Sequence, residues 1–162
     1  MALSYGKTSS DGWVKIFNHN VAGGYWSSDN GWAEVLNSNP TDPDNNKYSQ
    51  LYKLSDNMKI GDEFILKLVM DNHTNIWAQT HNPLENAPTA ATVPGYRAIS
   101  VSTTANSWGG ISRSDGPAAF LDGYPANTSW YYPIGSIANW NGGLPQYDGT
   151  GHPFCELWVK IR

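Results

Sequence analysis

Between Asn106 and Asp148 the chain repeatedly sets an amide or a carboxylate beside an aromatic ring. Trp108 follows Asn106, Asp122 precedes Tyr124, Asn127 precedes Trp130, Asn139 adjoins Trp140, and Tyr147 adjoins Asp148. A sugar offers two kinds of surface: C–H patches that suit a flat aromatic face, and hydroxyls that suit Asp and Asn in planar contact. The pattern predicts a carbohydrate site on loops. Trp108, Trp130 and Trp140 are the stacking candidates, and Asp122, Asn127, Asn139 and Asp148 the hydroxyl ligands. The competing expectation for each indole is a core plug in a fold with short strands.

Other chemistries have less behind them. A Gly-x-Ser-x-Gly elbow, a phosphate-binding loop, a His-Glu-x-x-His pair and a dinucleotide fingerprint are absent. The four His, at 19, 73, 81 and 152, are scattered and have no Cys or carboxylate at zinc-ligand spacing. Glycoside cleavage needs two carboxylates flanking the sugar. Asp115, Asp122 and Asp148 fall in the loop region, yet nothing in their surroundings raises a carboxyl pKa. The chain therefore reads as non-catalytic, with a glycan-cleaving enzyme using Asp122 or Asp148 as an alternative. Asp42-Pro-Asp44-Asn-Asn46 opens with the 1, 3, 5 oxygen spacing of a calcium loop. Lys47 and Lys53 then stand where that loop requires Gly and Glu, so Ca2+ on Asp42, Asp44 and Asn46 competes with a simple Asx-rich turn.

The elements that must hold such loops are mainly strands. With 162 residues, one domain from residue 12 to 162 is expected, preceded by a polar leader over 1–11. Aromatics at 13% oppose disorder. A net charge of −4 with no Lys/Arg cluster along the sequence argues against a nucleic-acid surface. No apolar run is long enough to span a membrane. The lone Cys155 rules out an intrachain disulfide and favours synthesis in a reducing compartment. Residues 63–70 alternate, with Phe64, Leu66, Leu68 and Met70 on one face. Residues 154–162 alternate likewise, with Cys155, Leu157, Val159 and Ile161 together. Further strands are expected at 13–17, 75–80 and 96–102, with shorter ones near 118–121 and 130–134. A turn is expected over 18–24, and short helices over 30–36, capped by Asn30, and over 46–54. The resulting class is mainly β (α+β): a twisted antiparallel sheet, one or two short helices and a long loop-rich, aromatic-rich half. An all-β sandwich is the alternative. Within the loops, residues 105–111 and 138–144 echo each other as Asn, Trp, paired Gly and an aliphatic.

The strings Trp13-Val-Lys-Ile-Phe-Asn-His19, Ile76-Trp-Ala-Gln-Thr-His-Asn-Pro83, Pro94-Gly-Tyr96, Asn106-Ser-Trp-Gly-Gly110, Trp130-Tyr-Tyr-Pro-Ile-Gly135 and Cys155-Glu-Leu-Trp-Val-Lys160 occur in an order that resembles a fibrinogen-like recognition domain. Versions of that domain tip viral or phage tail fibres. The resemblance implies extracellular or virion-surface recognition of glycans, often with calcium, and a loop-rich ligand-binding half beside a twisted sheet. Fibre tips are usually trimers, so a structural assembly domain is a further alternative. The chain lacks the disulfides of the fibrinogen-like pattern, a departure that favours the viral version.

Overall fold

The computed structural model describes residues 8–71, 73–86, 89–102, 107–114, 118–126, 131–139, 143–144 and 151–162. The protein is mainly β. Its strands are β1 (Trp13–Asn20), β2 (Lys47–Ser49), β3 (Phe64–Met70), β4 (His73–Gln79), β5 (Arg97–Val101), β6 (Ser112–Arg113), β7 (Leu121–Asp122) and β8 (Phe154–Lys160). Six of them form one antiparallel sheet in the order β2-β1-β8-β3-β4-β5, and β6 pairs with β7. The strand that ends the chain thus lies inside the sheet, between β1 and β3. Among the described residues, the alternative of a sandwich meets a second sheet of only two short strands, and the rest of the layer opposite the main sheet is loop.

Alternation places the core. Phe64, Leu66, Leu68 and Met70 of β3 are buried on one face, level with Cys155, Leu157 and Val159 of β8. These side chains join one cluster with Trp26, Val35, Trp77, Ile111, Phe120 and Ile134. Cys155 is a core residue, as its position in the alternation predicts. Burial pushes its thiol pKa up, and Sγ donates weakly to the Pro133 carbonyl at 3.6 Å.

Three local expectations need correction. The turn expected from Asn18 begins later, because β1 continues through Asn20. Asn18 and His19 can stay in the strand because their polar groups find backbone partners: Asn18 Nδ2 donates to Asn45 O at 2.8 Å, and His19 Nε2–H to Gly24 O at 2.7 Å. The segment 46–54 is not a helix. Tyr48 lies in β2 with its hydroxyl on Lys15 O, and only Leu51–Lys53 winds, as one 3₁₀ turn. Tyr52 is half exposed beside the buried Leu51, so the aromatic and aliphatic spacing did not mark a helix face. In α1 (Asp29–Leu36), Asn30 does not cap. Asn30, Gly31 and Trp32 all have left-handed backbone angles, and only the last turn is right-handed. Burial of the Trp32 indole against Phe120, with ring centroids 5.4 Å apart, opposes the cost of that conformation.

Residues 8–11, read as the end of a leader, fold back on β1. Thr8 bridges Val14, and Ser9 N donates to Trp13 O at 2.8 Å.

Candidate functional site

The segment after β1 is held at successive residues. Asn20 accepts from Ala22 N at 2.9 Å, Val21 N donates to Pro153 O at 2.9 Å, and Gly24, at φ 89°, ends the turn. Its successors diverge. Trp26 goes inward and stacks on Phe17 at 5.2 Å, while Tyr25 stays half-buried at the surface. Lys47 Nζ donates to the Tyr25 carbonyl at 3.0 Å and pairs with Glu34. The Tyr25 ring meets His19 edge-on at 5.9 Å. Partial burial raises its phenol pKa, so the hydroxyl keeps its proton.

That proton points at the loop layer. Tyr25 Oη lies 3.0 Å from Asn139 Oδ1 and 3.3 Å from Gly143 O, and donates to them. Asn139 is exposed, and its Nδ2 protons have no partner among the described residues. Gly143 lies flat against His152: a Cβ there would sit 2.4 Å from His152 O, so only glycine permits the approach. Leu144 N donates to the same carbonyl. His152 Nδ1 in turn donates to Asp71 Oδ2 at 2.5 Å. Asp71 has φ 41° in the two-residue turn joining β3 to β4, where Met70 pairs with His73. Tyr25, Asn139, Gly143, His152 and Asp71 therefore form one contiguous chain of contacts linking the end of the sheet to the loops. It presents an aromatic ring, an outward amide and a carboxylate held by a histidine.

The sequence-predicted ligands divide. Asn139 is exposed and held. Trp108 is a correction: it is 7% exposed and sits edge-on to Trp77 at 4.6 Å and to Tyr132 at 4.9 Å. Its faces are covered by core, so it cannot stack on a ligand. Asp122 is a second correction. It is 2% exposed, and its Oδ1 accepts from Tyr124 N at 2.6 Å, which closes a turn instead of offering a ligand group. Asn127, Trp130, Trp140 and Asp148 lie outside the described residues. At the calcium candidate, Asp42, Asp44 and Asn46 are exposed, but the two carboxylates are engaged separately. Asp44 Oδ1 takes Lys15 Nζ at 3.3 Å, and Asp42 Oδ2 accepts from Asn45 Nδ2 at 3.3 Å. A cation there would have to displace an ammonium. Among the described residues no group of three or more His, Cys, Asp or Glu is placed to hold a metal ion.

Tyr25 was missed because its partner is far away in the sequence. The Tyr25-Trp26 pair beside Gly23-Gly24 was the available signal, in the same form as the ring-and-glycine corners noted at 105–111 and 138–144. Those corners do share a device. At Gly109 a Cβ would meet Ala91 O at 2.2 Å, much as Gly143 meets His152. A separate shallow depression of about 370 Å³ is lined by Ala90, Thr92, Val93, Pro94, Gly95 and Tyr96. Its described lining carries no side-chain amide, carboxylate or guanidinium to take paired hydroxyls.

No helix among the described residues is long and apolar enough to cross a membrane. No family model, curated protein or solved structure matches this chain.

Proposed function

We propose that this chain is a non-catalytic carbohydrate-binding module that attaches to cell-surface glycans, with its site around Tyr25 and Asn139. The observation that carries the reading is the Tyr25–Asn139 hydrogen bond. It spends the amide's acceptor on the protein and leaves both N–H donors of an exposed residue without a partner among the described residues, near a half-buried ring. A side chain oriented before the ligand arrives loses less entropy on binding. Trp140 and Asn141 follow Asn139 directly in the sequence, a ring and an amide of the types a sugar site uses. The resemblance to fibrinogen-like recognition domains supports the same class, with a position on a virion or outside a cell.

A ring stacked on one sugar contributes about 1 kcal/mol, so a single site binds at roughly millimolar strength. Useful attachment then needs several copies. Assembly is favoured by one further observation. Among the described residues the main sheet ends at β5, whose residues Arg97–Ser100 are exposed, with Ile99 47% exposed, whereas the opposite edge at β2 is closed by the Ser38–Ser49 bridge.

The test is a titration of a broad sugar panel, with and without calcium, followed by side-chain amide NMR. One class of sugar is expected to shift the Asn139 Nδ2 resonances, and Asn139→Ala and Tyr25→Ala each to weaken binding. A panel with no response under either condition overturns the proposal.

A further inference from the structure

The main sheet has a second face, turned away from the core cluster. Cross-strand register sets its rows. Lys15 of β1, Trp158 of β8, Lys67 of β3 and Ile76 of β4 form one row, and Trp13, Lys160 and Ile65 the next. Lys67 Nζ stands over two indoles, 4.6 Å from the Trp13 ring centre and 4.9 Å from that of Trp158. Lys160 Nζ approaches the same Trp13 ring at 5.7 Å. The protein is acidic overall, so two ammonium groups on one indole form a local exception.

Their satisfaction differs from that of the neighbouring lysine. Lys15 is buried and donates to Pro43 O at 3.2 Å, with Asp44 and Glu156 each at 3.3 Å. Among the described residues neither Lys67 nor Lys160 makes a direct hydrogen bond or ion pair; the carboxylates of Asp11 and Glu156 act on Lys67 only through their charge. An ammonium held against rings has lost part of its hydration, and a ring quadrupole replaces only some of it. The chain already reaches toward this charge: Asp11, on the turn folded back over β1, lies close enough to both lysines for them to help lower its carboxyl pKa, after its bond from Ser9.

We propose that this face binds the carboxylate or sulfate groups of an acidic polysaccharide, with Lys67 and Lys160 as the anion ligands between Trp13 and Trp158. Both oxyanions can contact directly the ammonium groups that Asp11 and Glu156 influence only through their charge. The half-buried Ile65 and Ile76 flank the lysines in the register and give sugar C–H faces an apolar surface. A lone oxyanion at half-buried ammonium groups that water still reaches gains little, whereas a polymer repeats the contact on every copy of the chain. A nucleic acid is the less suitable polyanion, because its charge is dense along the whole backbone and meets a protein of net charge −4. This inference goes beyond the site at Asn139 and does not depend on it.

The experiment titrates the full chain with polygalacturonate, dextran sulfate, uncharged dextran and single-stranded DNA, followed by tryptophan fluorescence at low and at physiological salt. One or both acidic polysaccharides are expected to bind about tenfold or more tightly than dextran, and to weaken as salt rises. Which of the two binds more tightly separates carboxylate from sulfate. Lys67→Met and Lys160→Met keep much of the aliphatic packing and are each expected to reduce affinity about fivefold, while Lys67→Arg retains it and Asp11→Asn raises it. Asn139→Ala is expected to leave this binding unchanged, which separates failure here from failure of the loop site. Lack of binding to both acidic polymers, binding that survives the Lys67→Met/Lys160→Met double change, or equal affinity for DNA overturns the proposal.

Discussion

The Tyr25 hydroxyl donates to Asn139 Oδ1 across 114 positions of sequence, and so joins the turn that leaves β1 to the loop layer. Removing the hydroxyl should leave the ring in place and free the amide. Tyr25→Phe is expected to cost about 1 kcal/mol of stability, the usual worth of one hydrogen bond. The larger effect is on Asn139, whose side-chain amide resonances should lose their fixed shift and move to the position of a freely rotating Asn. Unchanged Asn139 resonances in Tyr25→Phe would show that the phenol does not hold the amide.

Trp108 is held by the absence of a side chain. A Cβ on Gly123 would lie 2.5 Å from Trp108 Cζ3 and 2.5 Å from Tyr132 Cβ. Gly123→Ala should therefore destabilise the fold by about 1–3 kcal/mol through overpacking, and Trp108→Ala by about 3–5 kcal/mol through the void it leaves. Urea denaturation of the two variants checks both values. A stability loss below about 0.5 kcal/mol for Trp108→Ala would place the indole at the surface, contrary to its contacts with Trp77 and Tyr132.

His19 makes stability depend on pH. Its ring is fully buried among Phe17, Tyr25 and Trp26, and that desolvation brings its pKa down to about 4. The hydrogen bond to Gly24 O acts the other way, Lys47 lowers the pKa further, and Glu34 raises it. The unfolded chain protonates this His near its ordinary value of 6.5. Between those values the unfolded state binds the extra proton, so stability is full above about pH 6.5 and falls as the pH drops toward about 4. The loss from this one group approaches roughly 3 kcal/mol. Urea midpoints measured stepwise from pH 7 to 4 should fall, and His19→Gln, which cannot take up the proton, should flatten that slope. An identical slope in wild type and variant would assign the pH dependence to other groups.

How much could be read directly depended on whether a feature is local. The β3 and β8 alternation was visible because a strand turns successive side chains to opposite faces, and one buried face selects apolar residues at every second position. The same rule put Cys155 in the core. Segment 46–54 could not be read this way. Tyr48, Leu51 and Tyr52 satisfy helical spacing, yet pairing of β2 with β1 supplied backbone hydrogen bonds that outweighed a weak local preference. The N-terminal half of α1 escaped for a related reason, since its left-handed residues are supported by Trp32 packing against Phe120, far away in the chain.

The amino-acid order alone determined a mainly β chain with a ring-rich set of loops that carries few charges, because composition and period-two alternation are properties of neighbours. Only the tertiary structure decided which rings face solvent. Trp108 and Asp122 carry the residue types of a sugar site, but Trp77, Gly123 and Tyr132 close over the first and a turn consumes the second. Tyr25 reaches Asn139, and Lys67 meets Trp13 and Trp158, only because sheet register and glycine-permitted loop approaches bring distant segments together. Burial depends on which segments pack on one another, and no window of neighbouring residues contains that information.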